Sequence, residues 1–280
     1  MVELGNRNAD LHIHSVYSDG DLSVGLVLKE VVSRGIKFIS ITDHENTNQS
    51  RELAELVKNY KENIAFIPGV EISTAYDGLE IHLLAYYNQN IIDKVDKLVS
   101  PIREYKKSRV IETIQMLHDD NIYVDQSIIR NGRRTINKMI LARYLYHNSD
   151  FPSVEKVYKS FFGKGAKYKL ENTYPDTREI LTDLKSVGCV VGVAHPDFLK
   201  DWSKIGYILA LKKIGLDGIE VFHPLLDESM TKSLLKFCQE NDLIPLGGSD
   251  FHGYETKRNQ LGQFNTFELS ARRVMELLGI

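Results

Sequence analysis

Short apolar runs alternate with longer amphipathic stretches along the chain. The short runs fall at residues 10–14 (DLHIH), 37–42 (KFISIT), 64–73 (IAFIPGVEIS), 79–87 (LEIHLLAYY), 189–196 (CVVGVAHP), 217–222 (DGIEVF) and 243–250 (LIPLGGSD). Most are rich in Val and Ile and read as buried strands. Between them, residues 22–35, 177–188 and 228–241 carry apolar positions at helical spacing, and the first two of these stretches contain or end on Gly. Strand, helix, strand in repetition predicts parallel strands joined by crossovers, an α/β fold. Seven such strands suit a closed or nearly closed β/α barrel better than an open sheet.

Residues 92–172 break the rhythm. They carry helical patterns and no convincing buried strand, and are read as a helical insertion after the fourth strand. The barrel is then residues 1–91 and 173–280. The insertion is the most basic part of the chain and includes Arg103, Lys106, Arg109, Lys138 and Arg143. Such charges ordinarily form a solvated helix face. On a lid they would present cations to an anionic substrate, and Lys138, Arg143 and Arg109 are the candidate phosphate or nucleotide contacts.

Composition narrows the class. The 280 residues are 42% hydrophobic and 26% charged with a formal net charge of −3, as in a globular protein with no global basic surface for long nucleic acids. Two cysteines, Cys189 and Cys238, sit in apolar runs and outside any CxxC pair, so buried reduced thiols are expected. The first residues lack the apolar core of a signal peptide, and no run approaches a membrane span. The cytoplasm is the expected compartment, with no obligate protein partner in evidence.

The chemistry gathers where the short runs end. His12, His14 and Asp19 belong to the first, Asp43 and His44 to the second, Glu71 to the third and His82 to the fourth. His195 ends the fifth, His223 follows the sixth, and Asp250 and His252 close the seventh. Seven of the nine histidines lie at these positions. In a barrel of parallel strands the C-terminal ends open onto one face, so these residues would converge. A lone strand-end histidine is ordinarily a satisfied polar group. Burying this many imidazoles and carboxylates together is costly unless a cation compensates them. The mixed nitrogen and oxygen donor set suits Mn²⁺, Zn²⁺ or Fe²⁺. His12 and His14, two apart on a strand, face the same side and can grip one ion, and Glu71 has two oxygens with which to bridge two.

The runs DLHIHSVYSDG, ITDHEN, PGVEIS, HLLAYY, AHPDF and GSDFHG, in this order, resemble the motifs of the PHP (polymerase and histidinol phosphatase) phosphoesterase family across nearly the whole chain. The resemblance implies a distorted (β/α)7 barrel carrying two or three divalent ions. His12, His14, Glu71 and Asp250 would hold the first ion, Glu71, His82 and His195 the second, and Asp19, His44 and His252 the third. Asp19 stands where some members have His, and an oxygen ligand there would favour Mn²⁺ or weaken the third site. The insertion and the IEVFHP run are similar to a branch that includes nucleoside 3′,5′-bisphosphate phosphatases that also trim RNA 5′ ends. That branch carries an Arg-Pro-His run before an Ala-Arg pair. Here Lys138, Met139 and Ile140 replace the first three, while Ala142 and Arg143 match, so one substrate-facing His is absent.

The expected activity is hydrolysis of phosphomonoesters, with nucleotides such as nucleoside 3′,5′-bisphosphates or AMP-like compounds as substrates, by a metal-activated hydroxide. His223, not needed in the ion shells, is the candidate to contact phosphate or protonate the leaving alkoxide. Packing on Pro224 is its structural alternative. Asp43 would orient a neighbouring ligand. A 5′-to-3′ exonuclease on short oligonucleotides and a histidinol phosphate phosphatase are the competing enzyme readings. A non-catalytic binding module is disfavoured because every expected ligand position is filled.

Overall fold

The structure, a computed structural model, describes residues 8–60, 64–130, 132, 134–170, 172–256, 259–263 and 266–280. The stretch examined above for a leader therefore lies outside the described residues over its first seven positions. Eight strands are present among the described residues: β1 (Ala9–Ile13), β2 (Phe38–Ile41), β3 (Ala65–Phe66), β4 (Gly69–Tyr76), β5 (Leu79–Tyr86), β6 (Val190–Val193), β7 (Gly218–Phe222) and β8 (Ile244–Gly247). They form a three-stranded parallel sheet, β1-β2-β3, and a five-stranded sheet, β4-β5-β6-β7-β8.

Two expectations are corrected here. The third apolar run is not one strand. It breaks at Ile67 and Pro68, and its halves join different sheets, because proline has no N–H to continue a ladder. Nor are the strands all parallel. β4 and β5 form an antiparallel hairpin, and β5 runs antiparallel to β6 as well, while β6/β7 and β7/β8 are parallel. The hairpin turns at Asp77 and Gly78, both at positive φ, which suits the twist of a two-residue loop.

The sheets meet at two seams. At one, His14 N–H donates to Phe251 O (2.9 Å) and Asp250 N–H to His12 O (2.9 Å). At the other, Glu45 N–H donates to Glu71 O (2.9 Å) and Glu71 N–H to Thr42 O (3.0 Å). Six helices cover the sheets: α1 (Val24–Ser33), α2 (Asn48–Val57), α6 (Thr177–Ser186), α7 (Ile205–Ile214), α8 (Glu228–Glu240) and α9 (Glu268–Leu278). Ser23, Asp176 and Asp227 cap α1, α6 and α8 by accepting backbone N–H groups of the first turn. Cys189 and Cys238 are free and buried, and burial pushes both thiols up to about 12.

Between β5 and α6 the described residues hold α3 (Ile92–Asp119), α4 (Lys138–His147) and α5 (Val154–Phe162). At 28 residues α3 serves two cores. Val95, Val99 and Ile102 pack with the main core, whereas Val110, Ile114 and Leu117 join a separate cluster with residues of α4 and α5. The proline inside it, Pro101, lacks the N–H that would reach Lys97 O, and the Ser100 hydroxyl donates to that carbonyl (3.2 Å). Among the described residues no helix is long and apolar enough to cross a membrane.

Candidate metal centre

All nine residues expected as ligands come together around Glu71, Asp19 and Asp250, between the two seams. His12 and His14 lie on and just after β1, and their Nε2 atoms are 3.1 Å apart. Glu71, third in β4, is brought beside His44 by the second seam. His82 sits mid-strand in β5, across the hairpin from Ser73 and facing the same pocket, so it arrives from an antiparallel strand and not from a strand end. Glu71 is the hub. Its Oε1 meets His82 Nδ1 (2.8 Å) and His195 Nε2 (2.9 Å), and its Oε2 meets His12 Nε2 (3.3 Å), His14 Nε2 (3.2 Å) and His44 Nδ1 (3.2 Å). Asp250 Oδ1 lies 3.4 Å from His12 Nε2 and 3.2 Å from His14 Nε2. Asp19 Oδ1 is 3.3 Å from His252 Nε2. Glu45, His195 and Asp250 hold positive φ, a conformation that non-glycine residues keep only where the surroundings enforce it.

Ligand atoms converge in four groups: His14, Asp19, His44 and His252; His12, His223 and Asp250; His12, His14 and Glu71; and His44, Glu71 and His82. These overlap the expected sets without copying them. His44 stands with Glu71 and His82 as well as with Asp19, and His195 reaches Glu71 but falls outside the groups.

The donor set fits divalent cations. Asp19 Oδ1 and His44 Nδ1 are buried, and their contacts with His252 and Glu71 lack the geometry of a hydrogen bond, the condition a cation relieves. Burial alone would raise Glu71, Asp19 and Asp250, yet the surrounding imidazoles hold all three carboxyls well below their usual range. Burial would lower His14 and His82, but their carboxylate neighbours, Asp250 and Glu71 for His14 and Glu71 and Glu80 for His82, push both up to about 10. Burial, helped by Lys106, keeps His44 well below its ordinary value and so neutral, the state a ligand needs.

Close packing locks the arrangement. A Cβ on Gly248 would lie 2.4 Å from His12 N, so the loop before Asp250 passes β1 at a distance only glycine permits. Asp43 stays out of the cluster. It accepts Ser15 N–H (2.8 Å) and the Ser15 and Ser18 hydroxyls, and Ser18 Oγ lies 3.3 Å from His14 Nδ1. Its contact with the centre thus runs through Ser18 to His14.

A cavity of about 270 Å³ opens over Asp19, His44 and His82. Arg109 and Lys138 are among the residues that line it, with Met139, Tyr158 and Tyr174. Arg143 does not line it. Its buried guanidinium donates to the backbone carbonyls of Asp19 and, at 3.1 Å, His252, so it holds the two loops that carry those residues. Sequence reasoning missed four side chains here. Lys106 lines the cavity and binds Glu45 Oε2 (2.7 Å) and Ser73 Oγ (2.7 Å). Asn137 donates to Asp19 Oδ2 (2.8 Å) while capping α4. Glu45 and Glu220 are fully buried. Only Glu220 carried a signal, as an acid inside the otherwise apolar strand GIEVF.

The PHP domain profile matches residues 10–187, well over half of the chain. The protein belongs to the PHP family. Among its relatives, a 5′-3′ exoribonuclease of Haemophilus influenzae is 25% identical over 88% of this chain and 90% of its own length. A phosphoribosyl 1,2-cyclic phosphate 1,2-diphosphodiesterase of Eggerthella lenta is 27% identical, covering 87% and 94%. A 3′,5′-nucleoside bisphosphate phosphatase of Chromobacterium violaceum is 24% identical, covering 88% and 87%. The fold is shared with a candidate metal-dependent phosphoesterase from Bifidobacterium adolescentis, with a TM-score of 0.87 and 23% identity over 96% of this PHP chain and 95% of that one.

Proposed function

We propose that this PHP-family phosphoesterase hydrolyses phosphomonoesters of nucleotides, with nucleoside 3′,5′-bisphosphates and AMP-like compounds as the substrate class. The observation that carries the reading is the cavity, which has the imidazole–carboxylate cluster at its floor and Lys106, Arg109 and Lys138 on its walls. A phosphate at the floor and a second anionic group at the walls would both find partners. Met139, Tyr158 and Tyr174 offer apolar and aromatic surface for a flat base.

In this reading two or three divalent ions are held by His12, His14, Glu71 and Asp250, by Glu71, His82 and His195, and by Asp19, His44 and His252. Divalent ions there supply Lewis acidity toward the phosphoryl group and an acidified water. Mn²⁺ is favoured at the Asp19 set, and Zn²⁺ or Fe²⁺ suit the imidazole-rich ones. His223 acts as the proton donor or phosphate contact. Leu225 N–H donates to its Nδ1 (3.2 Å), which places the proton of the neutral ring on Nε2, a buried atom without a hydrogen-bond partner. A ring nitrogen that carries a proton donates and does not ligate. His223→Ala is expected to lower turnover by about 10²-fold or more with bound metal unchanged. Loss of metal in that variant would reassign His223 to the ligands.

The finer architecture belongs to the same reading. The two seams support a distorted (β/α)7-type barrel over residues 1–91 and 173–280, and the separate hydrophobic cluster supports residues 92–172 as an insertion. We place the protein in the cytoplasm, consistent with its two free, buried thiols.

The test is elemental analysis of the purified chain with phosphate release, under added Mn²⁺, from AMP, a nucleoside 3′,5′-bisphosphate, a ribosyl cyclic phosphate and histidinol phosphate. Stoichiometric metal with turnover of the nucleotides supports the reading. Metal with turnover of another ester alone overturns the substrate class, and absence of both overturns the catalytic reading. The Haemophilus relative favours a second reading, 5′-to-3′ trimming of short oligonucleotides. A rate that rises with chain length from one to about five nucleotides would select it.

A further inference from the structure

His12 has its two ring nitrogens in different surroundings. On the Nε2 side lie His14 Nε2 (3.1 Å), Glu71 Oε2 (3.3 Å) and Asp250 Oδ1 (3.4 Å). On the Nδ1 side lies one carboxylate, Glu220, with both oxygens at 3.1 Å. Glu220 is in none of the groups whose donor atoms converge on an ion position among the described residues. It is fully buried in β7, where every position is buried. An acid in such a strand is retained against a substantial desolvation cost, so its partners must account for it.

The partners are two histidines of the cluster. A neutral imidazole carries one N–H, and a carboxylate only accepts. Glu220 therefore takes the proton-bearing nitrogen, Nδ1, and leaves the Nε2 lone pair turned to the cluster. Glu220 Oε2 also accepts the backbone N–H of His195 (2.7 Å), the residue whose φ of 26° puts it in the left-handed region. A single carboxylate on β7 thus joins the ring of β1 to the backbone that follows β6.

We propose that Glu220 is a positioning residue of the centre: it fixes the His12 tautomer that presents Nε2 to the ion and pins the backbone that presents His195. The inference rests on the reading of His12 as a ligand. Carboxylates so placed behind a metal-bound histidine set its ring orientation, and their loss typically weakens metal binding by about 10–100-fold.

The experiment uses the full chain and two readouts other than activity. The first is Zn²⁺ affinity, by chelator competition, for the wild type, Glu220→Gln and Glu220→Leu. Glutamine keeps one acceptor oxygen but sets an amide N–H at the other position 3.1 Å from Nδ1, so both His12 tautomers become available, whereas leucine removes the acceptor without adding a polar group. Both are expected to weaken the tightest ion by about 10–100-fold with the circular dichroism spectrum unchanged. The second readout is the ¹⁵N spectrum of the His12 ring in the Zn²⁺-loaded wild type, which needs no variant to fold. The expected result is a protonated Nδ1 with an unprotonated Nε2. Unchanged affinity in both variants, or a proton on His12 Nε2, would overturn the proposal. A wild-type chain that binds no Zn²⁺ or Mn²⁺ would instead overturn the metal-centre reading beneath it, so the two failures are told apart.

Discussion

Five imidazoles lie within 3.3 Å of the two oxygens of Glu71. Replacing one of those oxygens by an amide removes the charge they share and turns donors against ring nitrogens. Glu71→Gln is therefore expected to lose most bound metal and at least about 10²-fold in turnover, measured by elemental analysis and phosphate release. The same crowding predicts a pH dependence. Without ions His14 and His82 titrate at about 10, above their ordinary value of roughly 6.5. A raised histidine contributes stability that is fully present below its unfolded pKa and is lost as pH rises through its folded pKa. The metal-free chain is thus expected to lose melting temperature between about pH 7 and 10, while ion affinity rises over that window as protons leave. A flat melting temperature from pH 7 to 10 in chelator would contradict this. The histidine cluster was legible because the residue type is rare and its positions repeat. Lys106 was not, because a lysine on a charged helix gives no sign that it folds inward.

At the scale of elements, periodicity located strands well and their directions poorly. The apolar run LEIHLLAYY identifies a strand whichever way it runs. What decides direction is the connection, and the Asp77-Gly78 dipeptide is a two-residue hairpin signal lying between two apolar runs. The helix caps were equally local. Asn137 accepts the backbone N–H groups of Met139 and Ile140, and the same side chain holds Asp19. Asn137→Ala is expected to cost about 1 kcal/mol of stability in chemical denaturation and to weaken the weakest-bound ion selectively, with Asn137→Ser restoring the cap but not the ion. Wild-type ion affinity in both variants would separate the cap from the centre.

In the whole molecule, two of the hydrophobic clusters share one long helix, and the cavity over Asp19, His44 and His82 lies where they meet. Which basic residues enter that cavity depends on how the α3–α5 cluster docks, a tertiary matter that no local pattern encodes. Lys106 is the informative position. Lys106→Met alone would strand the buried Glu45 charge, at a cost of roughly 3–5 kcal/mol. The double variant Lys106→Met with Glu45→Gln avoids this. It is expected to raise KM for a nucleotide by about 10-fold or more, with metal content unchanged, if the ammonium meets substrate. An unchanged KM would assign the pair to structure alone.

Asn137 also has a consequence for how the protein senses its own loading. Its oxygen starts α4 and its nitrogen restrains the carboxylate of Asp19, while Arg143, from the same helix, grips the carbonyls beside two ligands. Ion occupancy and the folding of α4 are then linked equilibria, and linkage is reciprocal. Whatever steadies Asp19 steadies the helix, so resistance of α4 to proteolysis would gauge whether an ion sits at Asp19. A chain short of metal would then advertise the fact to proteases at the wall of the cavity itself.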